Sequence, residues 1–129
     1  MPFNKIHVPL HLPVETCRAI NDAVHNSLVE TCGSHPDDDF CLICRHALED
    51  MILHPRFLGE RDPTGTIIIE IALLAGRSDA QKEALFKDLR ARLREVGFEP
   101  ANSIIFLLEN RPIDWSFSEE GSVKAVLGL

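Results

Sequence analysis

Four features of this sequence could do chemistry without a bound cofactor. The first is Pro2, which follows Met1 and opens directly into an extended segment, Pro2 to Leu10. Initiator methionine is normally trimmed before a small residue, and trimming leaves Pro2 with a free secondary amine. Its nitrogen is tied into a ring at the end of a strand, so it is a conformationally locked base or nucleophile. The second is Arg77, placed between an apolar strand and a helix start. A guanidinium facing a secondary amine holds a carboxylate so that its carbonyl or alpha carbon lies beside the base. The third is the run Asp37-Asp38-Asp39 after Pro36, one member of which could orient a water or a substrate hydroxyl. Nothing local chooses among the three. The fourth is Trp115 with Phe117, the sole tryptophan and a nearby phenylalanine outside any helical pattern. Such a pair can wall a pocket and disfavour a charged amine by desolvation. Each has a plain reading beside the chemical one. Arg77 reads also as a solvated residue before a helix cap, the aspartates as a solvated turn, and the aromatic pair as core.

The cysteines and histidines do not make a metal or redox site. Cys41-Leu42-Ile43-Cys44-Arg45-His46 offers one cysteine pair where a structural zinc needs four ligands, and in a strand positions 41 and 44 point to opposite faces. A redox Cys-x-x-Cys belongs at a helix start, which this is not. The four cysteines, without a secretory signal, do not form a disulfide framework.

Two helices and at least four strands must position these groups. Cys17, Ile20, Val24 and Leu28 recur at helical spacing and predict a helix from about Val14 to Cys32, with Pro13 at its start and Gly33 as its C-terminal cap. Leu85, Leu89, Leu93 and Val96 predict a second, from about Asp79 to Val96, opened by a Ser78/Gln81 capping box and stopped by Gly97. Besides the N-terminal segment, Phe40–Leu48, Thr66–Ala75 and Ser103–Glu109 read as strands. The order is strand, helix, strand, repeated. Gly33-x-x-Pro36 and Gly97-x-x-Pro100 lie 64 residues apart, and that offset carries Pro2 onto Thr66, although the helical stripes align better at 65. The expected fold is a single α/β (α+β) domain of two pseudo-symmetric β-α-β units, about 2–64 and 66–129, forming a four-stranded mixed sheet with two helices on one face. For Arg77 to approach Pro2, the third strand must run antiparallel to the first. Apolar residues at both parities of Thr66–Ala75 require cover on the second face, for which another copy of the chain is the simplest candidate. Val123–Leu129 reads as a further short strand or hairpin.

Composition narrows the function. With 129 residues, 45% of them hydrophobic, the chain can bury one real core. No run of about 18 apolar residues suggests a membrane span, and no signal segment opens the chain, so a cytoplasmic protein is expected. A net charge of −7, from 20 acidic and 13 basic residues, argues against a nucleic-acid partner while leaving room for small anionic substrates.

Pro2, the paired β-α-β units, Gly76-Arg77-Ser78 with Gln81-Lys82, and Glu109-Asn110 leading to Asp114-Trp115-Ser116-Phe117 together resemble the tautomerase superfamily, closest to its malonate semialdehyde decarboxylase branch. The resemblance covers essentially the whole chain. It implies a cofactor-free homotrimer in which Pro2 is the catalytic group, Arg77 the carboxylate binder, Trp115 and Phe117 the hydrophobic wall, and Asp38 the aspartate that works with a water. Where those decarboxylases carry an Arg-x-Arg pair, this chain reads Ala75-Gly76-Arg77. A single arginine fits a tautomerase of small 2-oxo acids, with Pro2 as general base, better than a decarboxylase. The alternatives are a malonate-semialdehyde-type decarboxylase or hydratase using cationic Pro2 with Asp38-activated water, and a non-catalytic trimeric scaffold.

Overall fold

The computed structural model describes residues 1–129 and builds one four-stranded sheet from two matching halves. Strand β1 (Phe3–Pro9) leads into helix α1 (Val14–Cys32) and strand β2 (Cys41–His46). Strand β3 (Ile67–Leu74) leads into α2 (Asp79–Val96) and β4 (Ser103–Asn110). The strand order is β2-β1-β3-β4. β1 pairs parallel with β2 and β3 with β4, while β1 and β3 pair antiparallel at the centre, Ile6 opposite Ile69. This is the mixed sheet expected from the sequence, and both helices start and stop where their caps predict.

The caps explain those boundaries. Ser78 accepts the Gln81 amide while the Gln81 side chain accepts the Ser78 amide, closing a reciprocal box. Gly33 (φ 70°) and Gly97 (φ 117°) end the helices in the left-handed region, where a side chain would be strained. Pro13 is the N-cap of α1, just outside the first helical position.

The core lies between the helices and one sheet face. Ile6 and Val8 of β1 and Ile67, Ile69, Ile71 and Leu73 of β3 meet Ile20, Val24 and Leu28 of α1 and Leu85, Leu89 and Leu93 of α2, all fully buried. Alternation along β3 is strict, so each odd position packs inward. The duplication can now be aligned. First strands and helical stripes repeat at 65 residues (Ile6 and Ile71, Leu28 and Leu93), whereas caps and second strands repeat at 64 (Gly33 and Gly97, Cys41 and Ile105). The dropped residue is in the last turn, since α1 has 19 residues and α2 has 18. Pro2 therefore corresponds to Ile67, not to Thr66 as a uniform 64-residue offset suggests.

The second sheet face is not covered by a helix. It presents Leu42, Phe106 and Leu108, each between 40% and 51% exposed. It also carries a chain of titratable groups. His7 Nε2 bonds the Glu70 carboxylate, and His7 Nδ1 pairs with His46 Nε2 at 2.8 Å. No helix is long and apolar enough to cross a membrane.

The C-terminal segment differs from the sequence expectation. Val123–Leu127 is a short helix, α3, and the hairpin lies just before it, as β5 (Ser116–Ser118) and β6 (Gly121–Ser122). Ser122 Oγ caps the amide of Ala125 and Gly128 closes the turn in the left-handed region, so local capping overrides the β-branched composition.

Truncating the core is expected to be costly. Leu89→Ala should lower the unfolding free energy by about 2–5 kcal/mol, and Ser78→Ala by about 1 kcal/mol, both read from urea denaturation midpoints at constant slope.

Candidate active site

The amino terminus enters the sheet between β2 and β3. Pro2 is buried, and the ammonium of Met1 forms an ion pair with Asp38. Those two side chains are only 16% and 18% exposed, so the pair is shielded from much of the solvent screening that weakens surface pairs. The three aspartates, indistinguishable in sequence, have separate partners. Asp37 is exposed beside His35, Asp38 meets the chain terminus, and Asp39 accepts from Asn21 Nδ2 of α1 at 3.0 Å. The parallel register explains the selection, since the offset that pairs Asn4 with Cys41 brings residue 38 level with residue 1.

Arg77 lies at the same end of the sheet because β3 runs antiparallel to β1. It is not a free surface arginine. Its Nε donates to the Cys32 carbonyl at the end of α1 (3.3 Å) and its Nη1 to the Leu74 carbonyl (3.0 Å). The Cys32 bond satisfies one of the carbonyls that a helix end leaves without an intrahelical partner. Two of five N–H groups are thus spent on holding the guanidinium, and three remain for an anion. A guanidinium held this way loses little freedom when it binds a carboxylate.

The rings of Trp115 and Phe117 belong to a longer aromatic row. Their rings stack at 5.7 Å, Phe117 tilts against Phe40 at 5.2 Å, and Phe40 stacks on Phe3 at 6.2 Å. Phe117 also lines an apolar cavity of about 220 Å³ together with Met1, Val123 and Val126. Trp115 is oriented by its indole N–H, which donates to the Asn110 side chain at the end of β4. The turn before it is held by Asp114, whose carboxylate accepts the Arg111 amide at 2.9 Å. That bond keeps the Asp114 carboxyl below the ordinary carboxylate range, against some desolvation and with help from the Arg111 charge.

Of the residues singled out from sequence, Asp38 and Phe117 lie beside the chain terminus that carries Pro2, Trp115 stacks beyond Phe117, and Arg77 is anchored at the same sheet end. The sequence reading did not anticipate Phe3, Phe40 or Asn110 as parts of the site. Phe3 and Phe40 are in register once β1 pairs with β2 at an offset of 37, a signal that depends on the pairing and not on local spacing. Cys41 and Cys44 stay apart from this chemistry. Burial first, then the charges of Asp39 and Cys44, push the Cys41 thiol up to about 12, the opposite of what a nucleophile requires.

Comparison with known proteins places the chain in a family and a fold. The family described as "Tautomerase enzyme" matches residues 38–118. "Probable tautomerase YusQ" of Bacillus subtilis (strain 168) is 27% identical over 118 residues, spanning 91% of this chain and 93% of that protein. Among solved structures, FG41 malonate semialdehyde decarboxylase inhibited by 3-bromopropiolate is 33% identical with a TM-score of 0.87, covering 98% of this chain and 95% of that one. A second malonate semialdehyde decarboxylase is 26% identical with a TM-score of 0.86, covering 98% and 97%. A fused 4-OT symmetric trimer shares the fold at 18% identity and a TM-score of 0.78, over 96% of this chain and 98% of that one.

Because the chain has one tryptophan and no tyrosine, Trp115 emission reports this site alone. The Asp114 carboxyl is depressed in the folded state, so its support of the turn is present above the unfolded carboxylate value and is lost as pH falls through the folded one. Trp115 emission should change with an inflection below the ordinary aspartate range, and the inflection should be missing in Asp114→Asn.

Proposed function

From the premise that the chain belongs to the tautomerase family, we propose that it is a cofactor-independent tautomerase of small 2-oxo carboxylic acids, with trimmed Pro2 as general base. The observation that carries this reading is the chain terminus held at one sheet end with Asp38, an aromatic row and an anchored Arg77. Neutral Pro2 takes a proton from the carbon alpha to the substrate carbonyl and becomes an ammonium, and the substrate becomes an enolate. Arg77 binds the carboxylate through its unspent N–H groups and stabilises the enolate oxygen as charge develops. Pro2 then returns the proton at the other atom of the keto/enol pair. Trp115 and Phe117, continued by Phe40 and Phe3, keep water from the enolate.

One observation favours a second reading. Asp38 is already paired with the terminal ammonium, and a carboxylate in that place favours a charged Pro2 after trimming. A cationic Pro2 with Asp38-activated water would decarboxylate or hydrate a 3-oxo or unsaturated acid. The exposed apolar sheet face supports assembly with further copies of the chain, and we propose a homotrimer.

Pro2→Ala and a variant that retains Met1 should each lose most tautomerase activity; full activity in both would overturn the assignment. Arg77→Ala should lower kcat/KM by about ten- to a hundredfold, the loss of a charge-assisted grip, through KM for the carboxylate contact and through kcat for the enolate contact. Asp38→Asn separates the two readings. Enol–keto conversion that survives it supports the tautomerase, whereas carbon dioxide release from malonate semialdehyde that disappears with it supports the decarboxylase.

A further inference from the structure

Asn4 is the polar residue that the core does not account for. It is 2% exposed, in a row of β1 that continues inward with Ile6 and Val8, both fully buried. Its side-chain oxygen has no hydrogen-bond partner. A buried carboxamide left this way is destabilising relative to an apolar residue of the same size. Its position gives it a use, because residues two apart on a strand share a face and Asn4 is therefore the inward neighbour of Pro2.

The hydrogen-bond count of the terminus changes when Met1 is removed. The amide nitrogen of Pro2 carries no hydrogen while Met1 is attached. Pro2 is buried with Met1 attached, and the trimmed, protonated proline carries two N–H donors that need acceptors wherever the protein covers them. Asp38 loses its present partner, the Met1 ammonium, and supplies one. Asn4 Oδ1 is the unpartnered buried acceptor nearest along the strand. The other ionisable groups at this end of the sheet include Asp39 before β2, Cys41 at its start, Cys32 at the end of α1, Arg77 after β3 and, at the end of β4, Glu109 paired with Lys82 of α2. Asp39 is engaged by Asn21, the Cys41 thiol is held in its protonated form, and Arg77 has only donors.

We propose that Asn4 is a positioning residue, the second acceptor that orients the Pro2 ammonium, with Asp38 as the first. The inference rests on the reading that Met1 is removed and Pro2 acts as the acid–base group. With one N–H kept on Asn4 in both protonation states, the proton exchanged with substrate is the one on the Asp38 side, and the lone pair it leaves points that way. Asn4 does not touch the substrate; it acts through Pro2.

The test is an NMR titration of the Pro2 nitrogen in trimmed, proline-labelled protein, for the parent chain, Asn4→Leu and Asn4→Asp. Losing an acceptor of the charged form should lower the Asn4→Leu midpoint by about one pH unit, and the acid limb of the kcat/KM–pH profile should move with it. Asn4→Asp, of the same size, should raise the midpoint. A purely structural asparagine predicts an Asn4→Leu protein of equal or higher thermal stability with an unmoved midpoint, and that result would overturn the proposal. If Asn4→Leu does not fold, an unmoved midpoint in Asn4→Asp overturns it equally. The titration reads the nitrogen whether or not it performs chemistry. Activity surviving in Pro2→Ala would therefore remove the catalytic reading while leaving the role of Asn4 to be decided by the midpoints.

Discussion

The antiparallel pairing of β1 with β3 is the constraint on which the rest depends. Each half is a parallel β-α-β unit, and within such a unit a strand start and a strand end lie at opposite edges of the sheet. Joining the two units through antiparallel central strands, Ile6 against Ile69, brings the start of one half to the end of the other. Pro2 and Arg77, 75 residues apart in sequence, share one sheet end for that reason alone. The pairing is set by burial. Both central strands place every second residue in the same apolar layer beneath α1 and α2, and a slip of one residue would turn Ile67, Ile69, Ile71 and Leu73 to the other face.

That layer also decides what is rigid around the terminus. Arg77 is fixed by the last carbonyls of α1 and β3, so its direction is inherited from two packed elements and not from its own loop. Trp115 is likewise fixed from β4 through Asn110. Side chains supported by strands and helix ends have little freedom left to lose if a ligand binds them. The polar groups here are held and only partly satisfied: three guanidinium N–H groups of Arg77 and the carbonyl oxygen of Asn4 have no protein partner.

The duplication shows how a repeat keeps its core while its ends diverge. Helical stripes and central strands keep a 65-residue offset because their side chains interdigitate in one layer, and a one-residue change there would rotate a helix by about 100°. The single dropped residue falls in the last turn of α2, after the buried stripe, where a glycine cap absorbs it. Downstream of the cap the two halves then stay in step at 64. The ends of the halves have different tasks: one begins with Pro2, and its counterpart in the other is Ile67, an ordinary core residue.

Much of this protein was legible in its residues because the signals are local. Helical periodicity with glycine caps and a capping box set α1 and α2 to the residue, and the β-branched run set β3. Pro2 as a candidate amine, Arg77 as a candidate carboxylate binder and the Trp115/Phe117 wall followed from residue type and place in the chain. The choice among Asp37, Asp38 and Asp39 did not, because it depends on the offset at which two strands pair. The same is true of the Phe3–Phe40 stack that lengthens the wall and of the carbonyls that hold Arg77. Val123–Leu129 reads as a short strand or hairpin by composition, whereas two caps, Ser122 and Gly128, make it a turn of helix. Local patterns determined the elements and singled out the candidate groups. Register and crossing geometry, which arise only when the apolar faces pack together, decided which of those groups meet.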